Sequence, residues 1–210
     1  MGLAELISSY RADRKIRKLI RGAREKTLAD LRENTFVRVT GTVQPHRARV
    51  LEAPLSGRLC AYYSIVIRAP VRSYTLSMRR DRLTYATVGE EQEGVTFELD
   101  VDGARAVIDP TDAWISSGFD HKRQLGDDTD GRTSVLWQRH TRTTPTPDAR
   151  IEEAVLAIGE KIAVFGAAMQ EPDRAPAVGE HGYRDGTALR WRFSGTAKFP
   201  LVIRDDLRTL

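Results

Sequence analysis

A chain of 210 residues, 40% hydrophobic and 30% charged, has the composition of a soluble globule and the length for one substantial core. No apolar run approaches the roughly 20 residues that a membrane-crossing helix requires, and a single cysteine excludes an internal disulfide or a Cys-only zinc site. The net charge of +4 is unevenly placed. Residues 1–33 hold nine Lys or Arg and five Asp or Glu; taken from totals of 33 and 29, these leave 24 of each sign in residues 34–210. The basic character belongs to the N-terminal arm and gives no argument that the body binds nucleic acid.

From Leu3 to Leu31 proline is absent, and Leu3, Leu6, Ile7, Tyr10, Ile16, Leu19, Ile20, Ala23, Leu28 and Leu31 recur mostly three or four apart. This spacing predicts one long amphipathic helix with a break near Gly22. Its basic side chains crowd the middle. Arg14, Lys15, Arg17, Lys18, Arg21 and Arg24 form a candidate surface for docking to an anionic membrane or a protein partner, the alternative being the wet face of a helix packed on its own domain. The first residues place apolar before basic, the reverse of a signal peptide, so the expected location is cytoplasmic with peripheral membrane contact.

After Asn34 the period becomes two. Runs at 36–43, 47–52, 59–69, 82–89, 94–103, 104–109, 134–140, 160–170, 188–195 and 199–203 are short, β-branched or aromatic, and punctuated by Gly, Pro and Asp. Asp102-Gly103 has the chemistry of a two-residue hairpin turn. Ile151, Val155 and Ile158 stand at helical spacing and predict a short helix or turn over 151–161, whereas 118–133, 141–148 and 171–186 read as long exposed loops. The expected fold class is α+β: a mainly antiparallel β body over 34–210, OB-like barrel or sandwich, preceded by the helical arm 1–33.

Side chains that could carry chemistry do not assemble into a set. His46, His121, His140 and His181 are scattered without ligand spacing, and Ser56 in P-L-S-G-R lacks the elbow that exposes a nucleophile. The acidic run "GDDTDG" fails as a calcium loop, because the positions that should hold an acid are Gly126 and Trp137. The neighbours Glu152/Glu153 and Asp205/Asp206 are not thereby placed around one substrate, and "GEKIAVFG" lacks the phosphate-loop pattern. No catalytic residue, metal or cofactor is expected. Trp114, Trp137, Trp191, Tyr62, Tyr63, Phe97, Phe165 and Phe193 could stack bases on an OB-like sheet, which keeps single-stranded nucleic-acid binding as the alternative function; a charge-neutral body favours core packing instead.

The stretch "GTV…LEAPLSGRLCAYYSIVIRA", followed in order by "FELDVDGARAVIDPTDA", "EEAVLAIGEKIAVFGAA" and "FPLVIRDD", resembles the GIDE domain, also called the BAM (beside-a-membrane) domain. That domain is best known from mitochondrial membrane-anchored E3 ubiquitin ligases and has prokaryotic relatives. The resemblance covers about Val37 to Leu207, and its most specific piece is A-P-L-S-G-R-x-C-x-Y-Y at 53–63. It implies a β-rich, non-enzymatic module next to a membrane that recognises an unidentified protein or ligand. One cysteine cannot build the RING domain that carries ligase chemistry, and the Arg-rich composition suggests a bacterial gene. Candidate partner contacts are Leu55, Ser56 and Arg58 in the turn. Strict alternation puts Cys60 with Tyr62, Ser64 and Val66 on one face of the following strand, and Ala61, Tyr63, Ile65 and Ile67 on the other. Cys60 is expected to act as a small buried hydrophobe.

Overall fold

A computed structural model of the chain describes residues 16–75, 80–142, 144–173, 189–196 and 199–205. In chain order it holds the helical turns α1 (residues 16–22), then β1 (Arg24–Glu25), β2 (Phe36–Pro45), β3 (Leu51–Glu52), β4 (Leu59–Thr75), β5 (Arg80–Gly94), β6 (Phe97–Val101) and β7 (Ala104–Ile108). There follow β8 (Trp114–Ser116), β9 (His121–Gln124), α2 (Arg132–His140), β10 (Arg150–Ala157), β11 (Lys161–Pro172), β12 (Leu189–Phe193) and β13 (Val202–Arg204). The chain forms two compact units. One comprises the residues up to Arg49, Thr96–Ser116 and Ile158 onward; the other comprises Val50–Val95 and Ser117–Ala157.

In the first unit five strands close into a barrel. β2 pairs with β11 over Phe36–Thr42 and with β6 over Thr42–Pro45, and the circle β2-β6-β7-β12-β11 returns to β2. Counted along the chain, the barrel strands run first, second, third, fifth, fourth, first, and the third and fifth are parallel. The body is mainly antiparallel, as expected, with parallel pairs where β7 meets β12, β1 meets β2 and β8 meets β13. Alternation along β2 buries Val37, Val39 and Val43, and Phe97, Leu99, Ile108, Ile162, Val164 and Phe193 are buried apolar residues of the same unit. The hairpin at Asp102-Gly103 forms as predicted: both residues have positive φ, 54° and 88°, and the Asp100 carboxylate accepts the Gly103 N–H at 2.9 Å.

The N-terminal helix does not run to Leu31. It ends at Gly22, and the chain passes into β1 and a 3₁₀ turn at Leu28–Asp30. Ile16, Ile20 and Ala23 pack on Ala163, Phe165 and Val202, the face of the sheet turned away from Ile162 and Val164. Leu28 and Leu31 are buried by this route and not by helical periodicity. Short helices in water gain their stability from tertiary packing, so a barrel surface that accepts the apolar stripe determines where the helix stops. Arg14 and Lys15 lie outside the described residues.

The second unit is an antiparallel sheet, β9-β10-β4, with β3 and β5 sharing the far edge of β4. Tyr63, Ile65, Ile67, Ile151 and Val155 form one core with Leu136 and Trp137 of α2. Two elements reverse expectation here. Residues 134–140, predicted as a strand, are helical, with Thr133, Leu136, Trp137 and His140 turned inward at helical spacing. Within 151–161, predicted as a short helix or turn, the residues up to Ala157 belong to β10 and a turn follows at 158–159; Ile151, Val155 and Ala157 are buried on one face of the strand, and Ala154 and Leu156 on the other. A strand buried on both faces shows no alternation to read. The expected loop 118–133 contains β9 and a 3₁₀ turn at Leu125–Asp127, and β8 was not anticipated. Of the loop 171–186, all but the first three residues fall outside the described set.

Candidate functional site

The turn that carries the family resemblance is held from two sides. Gly57 has φ 72°, its N–H donates to the Ala53 carbonyl at 2.8 Å, and the Ala53 N–H donates to the Arg58 carbonyl at 2.9 Å. From β10, the fully buried Glu153 accepts the Leu55 N–H at 2.6 Å and the Ser56 N–H at 3.0 Å. From α2, the Arg132 guanidinium donates to the Pro54 carbonyl and to Glu52, each at 3.1 Å. The φ of Gly57 selects glycine, and an added Cβ would stand 3.0 Å from that guanidinium, which would have to shift.

The three candidate contacts of the turn differ in exposure. Leu55 is fully buried in the core, against the expectation of an exposed turn, because burying its side chain anchors the loop. Ser56 is half-buried and Arg58 exposed. In the first unit, Arg17, Lys18, Arg21 and Arg24 are all exposed.

Cys60 is buried, but strict alternation misplaces it. The β10–β4 register shifts between Leu156, which pairs with Tyr62, and Ala157, which pairs with Cys60, leaving Ala61 as the extra residue. Such a bulge reverses the parity of all that precedes it. Cys60 therefore joins Tyr63, Ile65 and Ile67 on the core side. Burial first, and the Glu153 carboxylate second, push its thiol up to about 11. A thiol held there is almost wholly protonated at neutral pH and is a poor nucleophile.

The acidic run 126–131 turns out to be helix-capping chemistry. Asp128 accepts the Ser134 N–H at 2.9 Å, the Ser134 hydroxyl at 2.5 Å and the Thr133 N–H at 3.3 Å, while Asp130 pairs with Arg123 at 2.7 Å. Burial acts upward on Asp128, but the hydrogen bonds from Ser134 and Thr133 outweigh it and hold the carboxyl at about 2, against an ordinary 3.8. The folded pKa is depressed, so the cap contributes fully above pH 3.8 and is lost as pH falls towards 2. Asp128→Asn is expected to cost about 1 kcal/mol at neutral pH, the usual scale of a cap, and to converge with the parent protein in acid. Urea midpoints of the two proteins at pH 7 and near pH 2 check this; a constant difference would refute it.

At the other end of α2, Glu91 of β5 meets Tyr63 Oη at 2.6 Å, His140 Nε2 at 2.6 Å and Arg139 Nη1 at 3.2 Å. Burial raises the Glu91 carboxyl, yet the hydrogen bonds from Tyr63, His140 and Arg139 bring it below its ordinary range. The Tyr63 hydroxyl also reaches Glu93 at 3.1 Å and is pushed upward, by burial first and then by these two carboxylates. The cluster fixes α2 on the hairpin.

Between α2 and the turn lies an open cleft of about 450 Å³, lined by Glu52, Pro54, Tyr63, Arg132, Val135, Leu136 and Arg139 among others. Its charged residues are engaged: Arg132 with Glu52, and Arg139 with Glu91. One large apolar side chain on its wall remains uncovered: Val135 is 55% exposed. Sequence reading missed the α2 contribution, although Thr133, Leu136, Trp137 and His140 at i, i+3, i+4 and i+7 carried the signal.

The chain finds no match among protein-family models, curated proteins or solved structures. Among the described residues no cluster of His, Cys, Asp and Glu could hold a metal ion, and no helix is long and apolar enough to cross a membrane.

Proposed function

We propose that this chain is a non-enzymatic recognition module of the GIDE/BAM kind, with an OB-type barrel as one unit and the α2 cleft of the other as its ligand-binding surface. The basic N-terminal segment supplies a second contact, to an anionic membrane. The observation that carries the reading is the double anchorage of the 53–58 turn: Glu153 and Arg132 grip its backbone, so it presents Pro54 to a cleft with the uncovered Val135 on its wall and satisfied charges. Apolar surface exposed in a preformed cleft is characteristic of a binding site.

Photo-crosslinking in the native host tests it. A benzophenone amino acid in place of Val135 is expected to give one discrete adduct, whereas the same probe in place of Arg105, an exposed side chain of β7, gives none. Equal labelling at both positions, or at neither, refutes the cleft as the recognition surface.

The strand order of the barrel, which is that of OB folds, favours single-strand nucleic-acid binding as a second reading. Against it, Phe97, Phe165, Phe193 and Trp137 are buried, and a base-stacking platform requires exposed rings. Retention of single-stranded DNA or RNA that weakens with salt would favour this second reading over the first.

A further inference from the structure

The basic N-terminal segment does more than carry charge, because where it leaves α1 it builds a concave site. Arg24 and Lys26 stand two residues apart along the extended stretch that begins with β1, and so project to the same side. Arg32 joins them from beyond the 3₁₀ turn, which buried Leu28 and Leu31 hold down, and Phe36 and Val37 of β2 contribute to the wall. The hollow is open to solvent and has a volume of about 700 Å³. Among the described residues none of these three cations has a carboxylate within ion-pairing distance. The nearby acids have other partners: Glu25 accepts from the Thr40 hydroxyl at 2.9 Å, Glu33 from the Gln170 N–H at 2.9 Å, and Asp30, which also lines the site, from the Thr27 hydroxyl at 2.9 Å. Gly22 lies at the margin, and a Cβ placed on it would meet nothing within 4 Å.

Three cations with no ion-pair partner among the described residues line one hollow, and with α1 presenting Arg17, Lys18 and Arg21 beside it in the chain they make a site for a compact polyvalent anion. We propose that this pocket binds phosphate groups, and that its phosphate is the headgroup of an anionic lipid. Sequence favours a lipid over a nucleic-acid source. Residues 1–10 contain no Lys or Arg and carry Leu3, Leu6, Ile7 and Tyr10, and the basic cluster begins only at Arg11. An apolar segment next to a polybasic one gives the two signals that interfacial anchoring needs. The inference rests on the membrane contact proposed above only for the source of the phosphate; the pocket itself rests on geometry.

Three variants of the full chain separate the effects. Gly22→Tyr plugs the pocket without changing charge. The triple variant Arg24→Gln, Lys26→Gln, Arg32→Gln empties it of cations, and Arg17→Gln, Lys18→Gln, Arg21→Gln removes equal charge outside it. In cosedimentation, the parent chain is expected to prefer phosphatidylcholine vesicles containing phosphatidic acid, a phosphate monoester, over vesicles containing phosphatidylserine at matched surface charge. Gly22→Tyr and the pocket triple lose this preference and roughly tenfold in affinity, while the α1 triple weakens binding to both vesicles and keeps the preference. Vesicle binding by Gly22→Tyr at parental strength and preference overturns the pocket and leaves membrane docking standing. If the full chain ignores all vesicles, inositol hexakisphosphate decides: perturbed amide resonances at residues 22–37 retain the phosphate site and overturn its lipid source, and unperturbed ones overturn both. Retention of single-stranded DNA that Gly22→Tyr abolishes assigns the pocket to nucleic acid and overturns the lipid assignment.

Discussion

Gly41→Ala is expected to destabilise the barrel unit by about 3 kcal/mol or more, the upper range for forcing an extra group into a packed core. A Cβ on Gly41 would approach the Asp100 carbonyl oxygen to 2.4 Å, the Leu99 side chain to 2.8 Å and that of Val101 to 2.9 Å. The first of these is backbone, which cannot rotate aside. Gly41 also occupies the place where the barrel closes, since β2 pairs with β11 up to Thr42 and with β6 from Thr42 onward. A strand that serves two neighbours in succession must bend sharply, and glycine at such a corner allows close backbone approach. The measurement is equilibrium unfolding in urea, where the midpoint falls at unchanged slope if only stability has changed. Gly103→Ala is the control: its position has open space and a φ of 88°, so strain alone should cost about 1 kcal/mol. A Gly41→Ala midpoint no lower than that of Gly103→Ala would show that β2 adjusts and that closure does not depend on this residue.

Position 41 also shows how far the sequence can be read. Alternation in 36–43 was legible because one face of β2 is buried and the other is not, and the Asp102-Gly103 turn was legible because positive φ at two successive residues restricts composition strongly. Barrel closure was not legible. It depends on pairing between residues more than 100 positions apart, such as Val39 with Val164, which leaves no local pattern. The two exchanged assignments have different causes: the helical spacing of 134–140 starts at Thr133, one residue before the run read as a strand, whereas β10 is buried on both faces and shows no alternation to read. The N-terminal helix was overextended because Leu28 and Leu31 continue its spacing while being buried by a different path.

The candidate site was legible in part. The turn at 53–58 stood out for its Pro and Gly, and those residues do shape it. Its supports did not stand out, since Arg132 lies 78 residues from the carbonyl it binds and Glu153 lies 98 residues from the Leu55 amide. In the sequence, Glu153 is simply the second of two adjacent acids. Its neighbour Glu152 pairs with Arg68 and Lys122, as an ordinary strand carboxylate does, and nothing local separates the two roles.

Glu153→Ala is expected to cost about 3 kcal/mol. The carboxylate lies between Ile151 and Val155 on the core face of β10, fully buried, and both of its oxygens are occupied by the Leu55 and Ser56 N–H groups. Alanine leaves those donors without their acceptor, at about 1–3 kcal/mol for an orphaned buried group, and adds a cavity. Glu153→Gln refines the test. Its amide oxygen can accept one N–H, but its NH₂ then faces the other, so donor meets donor and about half the loss remains. Thermal unfolding ranks the three proteins, and Cys60 supplies an independent readout. Glu153 helps to raise that thiol, so its removal lowers the pKa from about 11, and release of the 53–58 turn opens a path to Sγ. In the parent protein Cys60 should resist iodoacetamide until unfolding; in both variants alkylation should quicken under conditions where the protein remains folded. If both variants melt like the parent and leave Cys60 protected, the turn is held by Arg132 and its own Gly57 alone. The buried carboxylate then loses the anchoring role given to it, and the preformed cleft loses one of its two supports.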